Sequence, residues 1–103
     1  MAVIFHVLKE EFERLRETES AYSKAIADMP RGAPRIQRRR NKNYLYLEYR
    51  DGDRVIHDYV GPENSDKAKD VLEQVEQRRR YEKLLKETKS SLKDVRKALR
   101  GKI

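Results

Sequence analysis

The dipeptide Asp51-Gly52 lies between two stretches in which apolar and polar residues alternate, residues 44–50 and residues 54–60. Asp-Gly in this setting predicts a β-hairpin, because a two-residue type I′ turn needs positive φ at both central residues. A turn at Asp51 and Gly52 also fixes the register of the hairpin. The predicted pairs are Arg50 with Asp53, Leu47 with Ile56, Tyr46 with His57, Leu45 with Asp58 and Tyr44 with Tyr59.

This register sorts the side chains onto two faces, because directly opposed residues share a face. One face is aliphatic and is expected to pack on a core. It carries Leu45, Leu47, Tyr49, Ile56 and Val60. The other face is aromatic and polar, and it carries Tyr44, Tyr46, Glu48, Val55, His57 and Tyr59.

Residues 35–40 are basic and precede the hairpin. One interpretation makes them a first strand, with Asn41-Lys42-Asn43 as the turn into the hairpin. The result is a three-stranded antiparallel meander, which still needs a helix across one face. The alternative interpretation is a disordered basic arm.

The segment before the sheet has the apolar spacing of a helix packed along another helix. Met29-Pro30 is predicted to end it, because the residue before proline is disfavoured in the α region. The apolar stripe is Phe5, Leu8, Phe12, Leu15, Tyr22, Ile26 and Met29, interrupted by Glu19.

A second helix is predicted over residues 66–100, which contain no proline or glycine and follow Ser65 as N-cap. Its start is expected to cover the aliphatic face of the sheet with Ala68, Val71, Leu72 and Val75. Its end, beyond Arg78-Arg79-Arg80, carries a second apolar stripe that includes Leu85, Leu92, Val95 and Leu99.

The predicted fold class is α+β: an N-terminal helix, a three-stranded antiparallel β-meander and a long C-terminal helix, with the helices paired as a coiled coil. Pairing within the chain and pairing between two chains, as a homodimer, both remain open. The predicted division is an amphipathic helix over 1–29, a small basic sheet-plus-helix domain over 35–77 and a coiled-coil extension over 78–103.

The net charge is +7, and its distribution favours a polyanionic partner, nucleic acid first. Residues 1–29 carry four basic and six acidic side chains, residues 30–60 eight and four, and residues 61–103 thirteen and eight. The basic excess therefore belongs to the sheet and the second helix. DNA is favoured over RNA.

The sequence offers little for catalysis. It has two histidines and no cysteine, and it lacks a Gly-rich phosphate loop and paired metal-ligand spacing. We therefore expect no enzyme activity, no cofactor and no metal. No apolar run is long enough to span a membrane, and we expect a cytoplasmic protein.

The predicted function is non-catalytic binding of nucleic acid, most simply duplex DNA, since a small sheet fits the major groove. Stacking of the aromatic rings on unpaired bases is the other mode. The candidate contacts are Arg35, Gln37, Arg38, Arg39, Arg40, Lys42, Tyr44, Tyr46, His57, Tyr59, Arg78, Arg79 and Arg80.

Residues 44–52, Arg54, residues 59–62, Ile36 with its neighbouring arginines and Ala68 together resemble the arm-type DNA-binding domains of tyrosine recombinases. They also resemble small mobile-element proteins with a Tyr-rich hairpin and an Arg/Glu-rich helix. The resemblance covers residues 35–76 and implies an open sheet face in the major groove. The contacts it implies are Arg35, Gln37, Arg39, Tyr44, Tyr46 and His57.

Both long helices lie outside that resemblance and favour a protein partner as well. The alternative function is therefore a protein-interaction module. An antitoxin-like partner, or a mobile-element inhibitor of a host nuclease of the anti-CRISPR kind, would be of this class.

Overall fold

The computed structural model describes residues 2–101, in which two helices flank a three-stranded sheet in chain order. The elements are α1 (Ala2–Ala27), β1 (Ala33–Arg39), β2 (Lys42–Asp51), β3 (Arg54–Pro62) and α2 (Asp66–Arg100). The sheet is antiparallel with the order β1-β2-β3. The predicted α+β fold is confirmed, and residues 35–39 belong to a strand and not to a disordered arm.

Two compact units are present. The sheet unit is Met29–Arg79, and the helical unit consists of the segments up to Asp28 and from Arg80 onward. Helix α2 contributes its first part to the sheet unit and its remainder to the helical unit.

The predicted register of the hairpin is wrong by two residues. Asp51 pairs with Arg54, so Gly52 and Asp53 form the turn, and a bulge shifts the register again between Leu45 and Tyr46. The observed partners are Arg50 with Val55, Tyr49 with Ile56, Glu48 with His57, Leu47 with Asp58, Tyr46 with Tyr59, Leu45 with Gly61 and Tyr44 with Pro62.

The turn with positive φ at both central residues, which the sequence predicts between β2 and β3, lies instead between β1 and β2. Positive φ at both central residues occurs at Arg40 (49°) and Asn41 (66°), which join β1 to β2. This is the φ pattern of a type I′ turn, and it replaces the predicted turn at residues 41–43. In the second turn only Gly52 has positive φ (61°), a pattern that suits glycine in the first central position of a type II′ turn.

The core of the sheet unit lies between the sheet and the start of α2, as predicted. Leu45 and Val75 are almost fully buried, and Val71 and Leu72 pack against the same cluster. The cluster of buried residues is Leu45, Leu47, Val60, Ala68 and Val75. The Ser65 hydroxyl caps α2 by accepting a hydrogen bond from the Ala68 amide (3.2 Å).

The helical unit contains side-chain contacts between α1 and α2. The rings of Tyr22 and Tyr81 lie 5.6 Å apart, and the guanidinium of Arg96 lies 5.5 Å from the Phe12 ring. The two helices therefore run antiparallel within the chain. Coiled-coil geometry and a homodimer stay predictions.

Most of the predicted helix-pairing stripe is removed from solvent. Leu15 and Leu92 are buried, and Phe5, Leu8, Phe12, Tyr22, Ile26, Leu85, Val95 and Leu99 are half-buried. Thr88, which is also buried, donates its hydroxyl to the Leu84 carbonyl (2.9 Å), so its polar group has a partner. Helix α1 ends at Ala27, so Met29 lies beyond the helix that was predicted to contain it.

Candidate nucleic-acid interface

The face of the sheet opposite to the aliphatic core, called here the tyrosine face, is the candidate interface. It follows from alternation along the three strands, because a register error of two residues leaves every side chain on its predicted face. Its members are Ala33, Arg35, Gln37, Arg39, Lys42, Tyr44, Tyr46, Glu48, Arg50, Val55, His57, Tyr59 and Pro62.

Three tyrosines form the centre of the tyrosine face. The ring of Tyr59 lies 5.3 Å from the ring of Tyr46 and 6.2 Å from that of Tyr44, with interplanar angles of 64° and 48°. Tyr44 and Tyr46 are half-buried, whereas Tyr59 is 56% exposed. The rings thus buttress one another, and Tyr59 remains accessible to an outside partner.

The basic end of the tyrosine face lies at the turn between β1 and β2. Arg39 pairs with Lys42 across the strands, and Arg40 occupies the turn itself. All three side chains are exposed, and none forms a salt bridge within residues 2–101. Their charge is therefore available to an outside anion.

Beside the tyrosines, the tyrosine face carries a carboxylate between an arginine and a histidine side chain. Glu48 Oε2 lies 3.5 Å from Arg35 Nε and 3.7 Å from His57 Nδ1. The sequence analysis placed Glu48 and His57 on one face but missed this group, because the predicted register put His57 opposite Tyr46. The signal was the alternation, which puts Glu48 and His57 on the same face of neighbouring strands.

Several predicted contacts are not part of the tyrosine face. Arg38 pairs with Asn43, and by alternation its exposed side chain belongs to the aliphatic side. The Arg78 guanidinium donates hydrogen bonds to the carbonyls of Pro30 and Gly32, so it holds the linker before β1. Arg79 and Arg80 are exposed on α2.

The linker also approaches the sheet closely at Gly32. Its φ is +108°, and a Cβ there would lie 2.9 Å from the Glu48 carbonyl oxygen. Only glycine avoids that overlap, so β1 begins close against β2.

The aliphatic side has a polar margin that the sequence did not reveal. The hydroxyl of Tyr49 donates a hydrogen bond to the Asp58 carboxylate, and this bond, with burial and the Asp58 charge, raises the pKa of Tyr49. The Arg31 guanidinium lies 4.6 Å from the Tyr49 ring and opposes that rise.

A cleft of about 640 Å³ borders the basic end of the tyrosine face. It lies between the first turn and the junction of β3 with α2. Its lining is Asn41, Lys42, Asn43, Tyr44, Pro62, Glu63 and Asn64. The Glu63 amide donates to the Asn43 carbonyl (3.0 Å), which joins its two walls.

The part of the chain that the structure describes contains no group of three or more His, Cys, Asp or Glu side chains suited to a metal. Neither α1 nor α2 combines the length and apolar character that crossing a bilayer requires.

The sequence model of one family, described as a domain of unknown function (DUF6788), matches residues 8–70. The chain belongs to that family. No curated protein and no solved structure matches the chain. The DUF6788 match includes all three strands and the first turn of α2, so the whole tyrosine face lies within the family's domain. Most of α2 lies outside it.

Proposed function

We propose that this protein binds duplex DNA, without catalysing a reaction, through the tyrosine face and the basic turn beside it. The observation that carries the proposal is that one face of the sheet is buried and the other is exposed. Helix α2 packs on the aliphatic face, while the face that bears the tyrosines and the exposed cations keeps Tyr59 56% exposed.

The dimensions of the sheet support this mode of binding. Three strands place the outer strand axes about 10 Å apart, and the major groove of B-DNA is about 12 Å wide. The sheet can therefore enter the groove with its open face towards the base edges. In the arm-type domains that the sequence of residues 35–76 resembles, such a face lies in the major groove, and this resemblance also favours the proposal.

The proposed DNA contacts are of two kinds, contacts with phosphates and contacts with base edges. Arg39, Arg40 and Lys42 lie at the turn, where exposed cations meet phosphates and set affinity. The residues nearer the middle, including Tyr46 and Glu48, can reach base edges and carry sequence preference.

The test is a titration of labelled duplex DNA against the protein at several salt concentrations. Affinity should fall steeply with salt, because each phosphate contact contributes a slope of about 0.9 in log K against log salt. Arg39→Ala with Lys42→Ala should reduce that slope by roughly 2.

The matched control removes two exposed lysines elsewhere, Lys83→Ala with Lys86→Ala on α2. It lowers the net charge equally and should leave most of the slope. Absence of duplex binding at low salt, or an equal effect of both double variants, would overturn the proposal. The first of these outcomes would favour the protein-interaction alternative.

A further inference from the structure

Glu48 is the one carboxylate that the strands place on the tyrosine face. Its side chain is 34% exposed and lies between Arg35 on β1 and His57 on β3. Both contacts use Oε2, and Oε1 has no partner within residues 2–101. One oxygen is therefore oriented by neighbours, and the other can accept a hydrogen bond from outside.

Stability alone gives little reason for this arrangement. The distances of 3.5 and 3.7 Å exceed the usual range of an N–H···O hydrogen bond. Side-chain exposure of 60% for Arg35 and 47% for His57 also makes these surface contacts, and even charged pairs at the surface typically contribute little to stability.

A carboxylate on a surface that approaches DNA also has an electrostatic cost. It repels phosphates and cancels part of the positive charge of Arg35. That cost is offset only where the carboxylate meets a hydrogen-bond donor. In the major groove the donors are the exocyclic amino groups, and a carboxylate is the acceptor that suits cytosine N4.

We propose that Glu48 is a specificity-determining residue that selects cytosine in the major groove beneath the centre of the sheet. The inference rests on the proposed function. Oε1 accepts a hydrogen bond from cytosine N4–H, while Oε2 stays on the side of Arg35 and His57.

The experiment is selection from a library of randomised duplexes, carried out with the wild-type protein, Glu48→Gln and Glu48→Ala. The wild type should enrich cytosine at one position, with about tenfold weaker binding when that base pair is replaced. Glu48→Gln should move the preference at that position to adenine, because a carboxamide pairs with adenine N6 and N7. Glu48→Ala should bind all duplexes more tightly and lose the preference.

The control Asp70→Asn removes an acidic charge from the exposed side of α2 and should leave the preference unchanged. Circular dichroism and thermal unfolding of each variant should show an intact fold. Absence of duplex binding by the wild type overturns both proposals. Duplex binding without a cytosine preference, or a preference that survives in Glu48→Ala, overturns this inference alone.

Discussion

The two faces of the sheet are built from the same three strands and differ in what covers them. On the aliphatic face Leu45 and Leu47 are 0% and 6% exposed beneath α2. On the tyrosine face the intervening residue Tyr46 is half-buried and Tyr59 is 56% exposed. Neighbouring residues along a strand therefore differ in environment. Those on the aliphatic face stabilise the sheet unit, and those on the tyrosine face remain half-buried or exposed.

The largest expected effect comes from Leu45→Ala, which removes a fully buried side chain from the core cluster. The free energy of unfolding should fall by about 3 kcal/mol, because truncation loses apolar contact and leaves a cavity. Urea titration followed by circular dichroism measures this loss. DNA affinity of the folded fraction should stay close to that of the wild type.

Tyr46→Ala, one residue along the same strand, is the matched variant for the other face. It should reduce stability by about 1 kcal/mol through the lost ring contact with Tyr59. Its main effect should be weaker duplex binding. The comparison between faces fails if Tyr46→Ala destabilises the fold as much as Leu45→Ala does.

An effect on stability between those of Leu45→Ala and Tyr46→Ala is expected at Arg78, which the sequence suggested as a phosphate ligand. Because its guanidinium donates to the carbonyls of Pro30 and Gly32, Arg78→Ala should cost about 2 kcal/mol of stability. Its neighbour Arg79 is exposed, and Arg79→Ala should change stability by less than about 0.5 kcal/mol. Unfolding curves of the two variants would show the difference.

The variants Arg78→Ala and Arg79→Ala also test whether the proposed interface is limited to the tyrosine face. Helix α2 packs on the opposite side of the sheet, so neither substitution should change the salt dependence of duplex binding by much. A large loss of slope in Arg79→Ala would extend the DNA contact to α2 and contradict the separation of the two faces.

The sequence predicted the faces correctly although it predicted the register wrongly. A slip of two residues changes every partner but no face, because side chains alternate with a period of two. The Asp-Gly pair indicated the hairpin, and glycine serves either central position of a primed turn according to its type. Alternation therefore predicted that Leu45 is buried, but it did not predict which residue of β3 lies opposite Leu45.

The candidate site was less predictable, because it depends on which residues the fold brings into contact. Glu48 comes opposite His57 only in the observed register. The bonds of Arg78 join residues separated by 46 and 48 positions, and no local pattern signals them. Three successive arginines looked equivalent in the sequence, yet the fold employs the first of them in an internal contact.

The smallest expected effect concerns Tyr49, a tyrosine on the covered side of the sheet. The hydrogen bond to Asp58 raises the pKa of Tyr49 above the ordinary value of 10.0. Absorbance titration of the phenolate should therefore contain a component above pH 10 that is missing in Tyr49→Phe. Asp58→Asn should lower the pH of that component, because it removes the charged acceptor.

The same shift has a consequence for stability, with a definite sign. A raised pKa in the folded state stabilises the fold at pH values below 10, and this contribution is lost as pH rises through the folded-state pKa, because the unfolded chain releases the proton first. The stability difference between the wild type and Tyr49→Phe should therefore shrink between pH 9 and the top of the titration. A difference that stays constant or grows would contradict the hydrogen bond between Tyr49 and Asp58 on the covered side of the sheet.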